Sequence, residues 1–189
     1  MKIGVFVGSF DPVHIGHKQI VDYLLEHNYL DKVIIMPTGN YWNKQNITNI
    51  KHRINMLKYY ETNKIIINNK YNNLPYTYQI LEKLKEDYPG STFYLILGAD
   101  NLIKFHLWKE IDKILENKVL VLPRNDIDSS TYINKFRQKD NFIVVNNFKQ
   151  MDVSSSLIRD IVKKEKYIEI DKYLDKDIIE YIVKNDLYK

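Results

Sequence analysis

The 189-residue chain contains no cysteine. That excludes a disulfide scaffold, thiolate zinc sites, iron–sulfur clusters and a cysteine nucleophile. A chain of this length buries about 70% of the surface its unfolded form exposes, so it needs neither disulfide nor metal to hold it together. Long apolar runs are also missing. No stretch approaches the roughly 20 apolar residues of a membrane span. The first apolar run, residues 3–8, is too short for a secretion signal, and Asp11 and His14 follow at once. These absences set the expectation of a cytoplasmic protein with no membrane partner. Nor does one sign of charge dominate: 28 Lys+Arg stand against 24 Asp+Glu, a balance of +4. Nucleic-acid binding needs a clustered basic face. Here acidic residues interrupt the lysines, as in Lys163-Lys164-Glu165-Lys166, which reads as a solvated helix face, so no nucleic acid is expected. Glycine (6), proline (5) and tryptophan (2) are scarce beside 15 tyrosines and many Lys, Asn and Ile. That bias matches A/T-rich coding DNA, so the rarer types (Gly, Pro, Trp, His and Arg) carry the information.

What is present is an alternation of short apolar runs and helical patterns. Ile3-Gly4-Val5-Phe6-Val7 ends in Gly8 and fits a strand buried on both faces. Similar runs recur at residues 33–36, 64–67, 93–97, 119–122 and 141–145. Between them, helical spacing predicts helices over residues 17–25, 50–60, 77–88, 108–115, 155–162 and 178–183, with Thr77 and Ser154 or Ser155 as caps. Residues 38–49 are polar and read as a loop. Strands separated by helices throughout predict a single α/β domain, residues 1–189. Its sheet would be mainly parallel, Rossmann-like and doubly wound, with helices on both faces. In such sheets ligands bind beyond the carboxyl ends of the strands. Gly8, Pro37, Gly98 and Pro123 therefore mark the expected functional rim.

Two constellations on that rim carry chemistry. The first is Gly8-Ser9-Phe10-Asp11-Pro12-Val13-His14-Ile15-Gly16-His17, between the first strand and the first helix. Free backbone N–H groups at a helix start form an anion site. Gly8 lets backbone approach a phosphate, and Gly16 removes a side chain where a base or ribose would pack. His14 and His17, three apart, face the same way and offer imidazole donors to phosphate oxygens. Asp11-Pro12 makes a rigid turn. The segment is neither a P-loop nor a G-x-G-x-x-G turn. The second constellation is Val153-Ser154-Ser155-Ser156-Leu157-Ile158-Arg159, serines at a helix start with Arg159 one turn inside. Its hydroxyls, free N–H groups and planar guanidinium suit phosphate oxygens.

The first segment resembles the G-x-F-D-P-x-H-x-G-H signature of the nucleotidylyltransferase superfamily, and the second its I-S-S-T-x-I-R signature. Within that superfamily the whole chain resembles the bacterial nicotinate-nucleotide adenylyltransferases. The resemblance implies that His14, His17 and Arg159 carry catalysis. It implies that Gly8, Ser9, Phe10, Lys44, Ser155 and Ser156 hold ATP and its phosphates. Gly98-Ala99-Asp100-Asn101-Leu102 with Trp108 resembles the family's G-x-D-x-L…F-x-x-W stretch, which places Gly98 and Asp100 at the adenosine and Trp108 against a pyridine ring. Core packing is the alternative for Trp108. Lys44 closes a loop written P-x-x-x-P-P-H-K in the family, here with Tyr41-Trp42-Asn43 in place of Pro-Pro-His. Arg53 matches R-x-x-M-L, with a structural ion pair as the alternative. Thr77 matches S-Y-T-x-D-T-L, although Ile80 replaces its second threonine, and Arg124 keeps the arginine of an R-P-G turn. Thr77, Trp108 and Arg124 are thus the implied acceptor contacts.

The implied activity is transfer of the adenylyl group of ATP to a pyridine mononucleotide. Mg²⁺ would arrive with ATP, and no protein metal site is expected. Nicotinate mononucleotide is the first choice of acceptor. Nicotinamide mononucleotide and phosphopantetheine remain open, as does a nucleotide-binding regulator without catalysis. Cytidylyl transfer, which shares H-x-G-H, is also open.

Overall fold

The computed structural model describes residues 1–39, 47–124, 127–165 and 167–189. Six strands form one sheet: β1 (Lys2–Gly8), β2 (Lys32–Pro37), β3 (Ile65–Ile67), β4 (Thr92–Gly98), β5 (Lys118–Leu122) and β6 (Phe142–Val144). Their order is β3-β2-β1-β4-β5-β6, and every neighbouring pair is parallel. Parallel strands need crossovers, and these run through α1 (Ile15–Glu26), α2 (Ile50–Leu57), α3 (Thr77–Asp87), α4 (Ala99–Phe105), α5 (Ile111–Ile114) and α6 (Ser129–Ile133). Helices α7 (Ser155–Lys163) and α8 (Lys176–Lys184) follow the last strand. This is the Rossmann-like, doubly wound α/β fold that the sequence predicts.

The strands read as continuous apolar runs because both faces are covered. Successive side chains alternate between the faces. On β2, Val33 and Ile35 enter one core layer while Ile34 and Met36 enter the other. The first layer takes Ile20, Val21 and Leu24 of α1, Met56 and Leu57 of α2, Ile158 and Val162 of α7, and Ile178 and Ile182 of α8. The second takes Ile80, Leu81 and Leu84 of α3, Leu102 and Phe105 of α4, and Ile114 of α5. The chain leaves β1 toward one face and, after β3 and α3, returns beside β1 as β4. The strand order therefore reverses between β1 and β4. There the carboxyl ends of two adjacent strands diverge into helices on opposite faces, leaving a crevice between them.

Two details differ from the sequence expectation, and a third resolves an open choice. The predicted helix over 108–115 shortens to Ile111–Ile114, because Glu110 ahead of it has left-handed backbone (φ 52°). Trp108 instead ends a turn after α4, its N–H bonded to the Phe105 carbonyl at 3.0 Å. Thr77 is the first helical residue of α3 and not its cap; Tyr76 occupies that position without a side-chain bond. Of the two serine candidates, Ser154 caps α7, accepting the Leu157 N–H at 3.2 Å. Among the described residues, no helix is long and apolar enough to cross a membrane.

Candidate functional site

A cleft of about 720 Å³ opens at the β1/β4 switch point. That size suits small-molecule ligands, whose pockets run to about 300–1,000 Å³. Gly8, Ser9, Phe10, His14 and His17 line it from one side, Gly98, Trp108 and Arg124 from another, and Ser155, Ser156 and Arg159 close it. The sheet thus brings together two segments from opposite ends of the sequence. Asp100 does not line the cleft but pairs with Arg124 across 3.4 Å. Thr77, the first residue of α3, is not among the lining residues, and Ile80, one turn on, is buried in the second core layer. Lys44 lies outside the described residues.

The two histidines form one unit. Their rings stack at 3.7 Å between centroids. The His14 backbone N–H donates to His17 Nδ1 at 3.2 Å, so a neutral His17 carries its proton on Nε2. Phe10, buried and in the left-handed region (φ 49°), backs the His17 ring edge-on at 5.0 Å. Burial, with the nearby Arg124 charge added, lowers His14 to about 4. Burial, His14 and Arg124 hold His17 well below the usual imidazole range. Both rings are therefore neutral donors near pH 7, and the fixed positive charge of the cleft comes from Arg124 and Arg159. His14 Nδ1 is buried and has no partner among the described residues.

A stability consequence follows with a definite sign. Between about pH 4 and 6.5 the unfolded chain holds a proton on His14 that the native protein refuses. Unfolding therefore becomes easier as pH falls through that window. Urea titrations should find the wild type about 2 kcal/mol less stable at pH 5 than at pH 7 from this group. His14→Asn should shrink the difference. An equal loss in wild type and variant would contradict a depressed His14.

The signature glycines act through packing. A Cβ on Gly16 would lie 2.6 Å from Val153 Cγ1 and 3.1 Å from His14 Nδ1. Gly16 therefore lets α1 approach Val153, in the segment just ahead of α7, and the His14 ring. Gly16 also lines the cleft, so its missing side chain serves packing beside the space expected for a base or ribose. A Cβ on Gly8 would crowd the Phe10 ring at 3.0 Å. Gly16→Ala should cost about 1–3 kcal/mol by overpacking, read as a lowered urea midpoint.

Helices α1 and α7 both start at the cleft. In α7 the Ser154 hydroxyl serves Leu157, which leaves the Ser155 and Ser156 N–H groups without helical partners. The hydroxyls that the sequence suggested for phosphates are engaged within the protein. Ser155 Oγ donates to the Pro12 carbonyl at 2.8 Å, and Ser156 Oγ accepts from Arg159 Nη2 at 3.1 Å. Arg159 Nη1 donates to the Asp11 carbonyl at 2.7 Å, so the second constellation is bonded directly to the first.

Beneath the first constellation lies a polar cluster that the sequence only partly exposed. Arg53 is fully buried; its Nη1 donates to the Ser9 carbonyl at 2.6 Å and its Nε to the Thr48 carbonyl at 2.9 Å. Asp11, also buried, accepts the Thr48 N–H at 3.0 Å and the Tyr188 hydroxyl at 2.7 Å. Burial lowers Arg53, and the Asp11 carboxylate partly offsets that. Asn101 and Gln150 also line the cleft. Asn101 lies within the Gly98–Leu102 motif stretch, whereas no signal in the sequence marks Gln150.

An anion-receiving cleft at the switch point of a 3-2-1-4-5-6 sheet, walled by H-x-G-H and by a serine-started helix, defines a nucleotidyltransferase. The family model for cytidylyltransferase-like proteins matches residues 5–161. A probable nicotinate-nucleotide adenylyltransferase of Azobacteroides pseudotrichonymphae is 35% identical over 193 residues, covering 98% of each chain. One of Clostridium tetani is 35% identical over 175 residues, covering 86% of this chain and 88% of the relative. Among solved structures, Plasmodium falciparum nicotinic acid mononucleotide adenylyltransferase complexed with NaAD superposes with a TM-score of 0.83. It is 27% identical and covers 99% of this chain and 97% of its own. The chain belongs to the cytidylyltransferase-like family, in the group that includes the nicotinate-nucleotide adenylyltransferases.

Proposed function

We propose that the protein transfers the adenylyl group of ATP to nicotinate mononucleotide, giving deamido-NAD and pyrophosphate for NAD biosynthesis. One observation carries this reading: His14, His17, Arg159 and the open start of α7 converge on a single cleft whose far wall is Trp108. An acceptor phosphate oxygen attacks the α-phosphorus of ATP, and the bond from that phosphorus to the bridging oxygen breaks. Pyrophosphate takes the electron pair. The attacking oxygen is already ionised near pH 7, so neither a general base nor a covalent enzyme intermediate is required. The protein's work is to position two polyanions and to meet charge as it develops.

His17 Nε2–H and His14 donate to oxygens of the α-phosphate. The Ser155 and Ser156 N–H groups and Arg159 receive the outer phosphates, with Lys44 as a further cation. Gly8, Ser9 and Phe10 shape the phosphate loop, Gly98 flanks the adenosine, and Asp100, outside the cleft lining, acts there through its pairing with Arg124. On the acceptor side Arg124 meets negative charge. Trp108, edge-packed on Phe105 at 5.0 Å, presents a surface on which a flat pyridine ring stacks. Mg²⁺ enters as part of the ATP substrate, held by phosphate oxygens and water. The acidic residue among the described cleft walls, Asp11, has both carboxylate oxygens hydrogen-bonded within the protein, which supports that arrangement. The names of the relatives support nicotinate mononucleotide over other acceptors. A cytoplasmic location accords with the substrates.

Pyrophosphate release, measured with nicotinate mononucleotide, nicotinamide mononucleotide and phosphopantetheine in parallel, tests the reading. The expected result is fastest release with the nicotinate compound. Preference for another acceptor would overturn the substrate assignment. ATP binding with no release on any acceptor would establish a non-catalytic nucleotide binder.

A further inference from the structure

We propose that Tyr188 is a positioning residue for the triphosphate, acting through Asp11 from the segment that follows α8. Its hydroxyl donates to Asp11 Oδ1 at 2.7 Å, and the other carboxylate oxygen accepts the Thr48 N–H at 3.0 Å. Asp11 also lends its backbone carbonyl to Arg159 Nη1 at 2.7 Å. One residue thus joins the phosphate loop, the guanidinium of the second constellation and the chain just after Ile47, which itself lines the cleft. Tyr188 touches none of the cleft. Its bond, with that of Thr48, pins the Asp11 carboxylate, and so holds in place the residue whose backbone carbonyl meets Arg159.

Two further observations favour a selected placement. Tyr188 has left-handed backbone (φ 66°), which a bulky L-residue avoids unless its surroundings hold it there. The same end of the chain grips the phosphate loop at a second point, since the Tyr173 carbonyl accepts the Ile15 N–H at 2.9 Å at the start of α1. Burial, and then the Asp11 charge, raise the Tyr188 phenol above its ordinary value. The hydroxyl therefore stays a donor across the working range. Arg53 supplies the compensating cation of the cluster.

Tyr188→Phe removes the hydroxyl and keeps the ring. The expected result is an ATP dissociation constant, by calorimetry, weakened about tenfold, as for a hydrogen bond to a charged group. In turnover the KM for ATP should rise while the KM for nicotinate mononucleotide changes less than twofold. The turnover readout rests on the adenylyl-transfer reading. The binding readout does not, so a wild type that binds ATP without reacting still leaves the role of Tyr188 testable. Asp11→Asn weakens the same link from its other side, and the ATP-affinity losses of the two variants should be less than additive in the double variant. A lowered melting temperature with unchanged ATP affinity, or fully additive losses, would overturn the proposal and leave Tyr188 a structural contact.

Discussion

His17→Ala is expected to reduce kcat/KM by about 10²–10³-fold, with most of the loss in kcat. The expectation rests on which ring atom is free. His17 Nδ1 is occupied by the His14 N–H, so Nε2–H is the donor left for a ligand, and Phe10 and His14 fix its direction. Both imidazoles are neutral near pH 7, because burial first, and then neighbouring positive charge, disfavour their charged forms. A neutral donor binds ground-state ATP modestly. As the α-phosphoryl group accumulates charge in the transition state, that hydrogen bond strengthens and the imidazole gains affinity for a proton. The contact therefore favours the transition state over the ground state, which places its loss in kcat. Steady-state kinetics on folded protein, checked by circular dichroism, measures this. Near wild-type turnover would remove His17 from the chemistry.

Arg53→Met is expected to give the largest loss of stability, about 3–5 kcal/mol by urea denaturation. The guanidinium is fully buried and ties the Ser9 and Thr48 carbonyls together. Methionine fills much of the volume but leaves both carbonyls short of a donor and the buried Asp11 carboxylate without its cation. Arg53→Lys should recover part of the loss, since it restores charge but lacks the fork that spans two acceptors. A loss below about 1 kcal/mol for Arg53→Met would show that the cluster is not a stabilising centre.

What the sequence makes legible depends on the range of the contacts involved. The sheet was readable because strands covered on both faces leave unbroken apolar runs, as in Val33-Ile34-Ile35-Met36. The phosphate-facing segments were readable because each is contiguous: Gly8 through His17, and Val153 through Arg159. What escaped depends on contacts between distant residues. Nothing near Tyr188 in the sequence announces Asp11, and the two meet only because α8 returns the chain across the first core layer. The packing role of Gly16 is hidden because its neighbour Val153 is remote in sequence; folding places that side chain against it. Short helices also leave little trace in the sequence. Those at Ala99–Phe105 and Ser129–Ile133 offer too few turns for a periodic pattern, and the left-handed Glu110 breaks a helix that apolar spacing alone would continue. Thr77 matches a family position and starts α3, but it is not among the residues that line the described cleft.

The central claim is direct transfer of an adenylyl group within one cleft. ATP labelled at the α-phosphate, incubated with the protein, Mg²⁺ and nicotinate mononucleotide, tests it most directly. The account predicts label in deamido-NAD in equal amount to the pyrophosphate released, and none on acid-quenched protein. Label retained covalently on the protein, or ATP bound with no labelled dinucleotide formed, would contradict it.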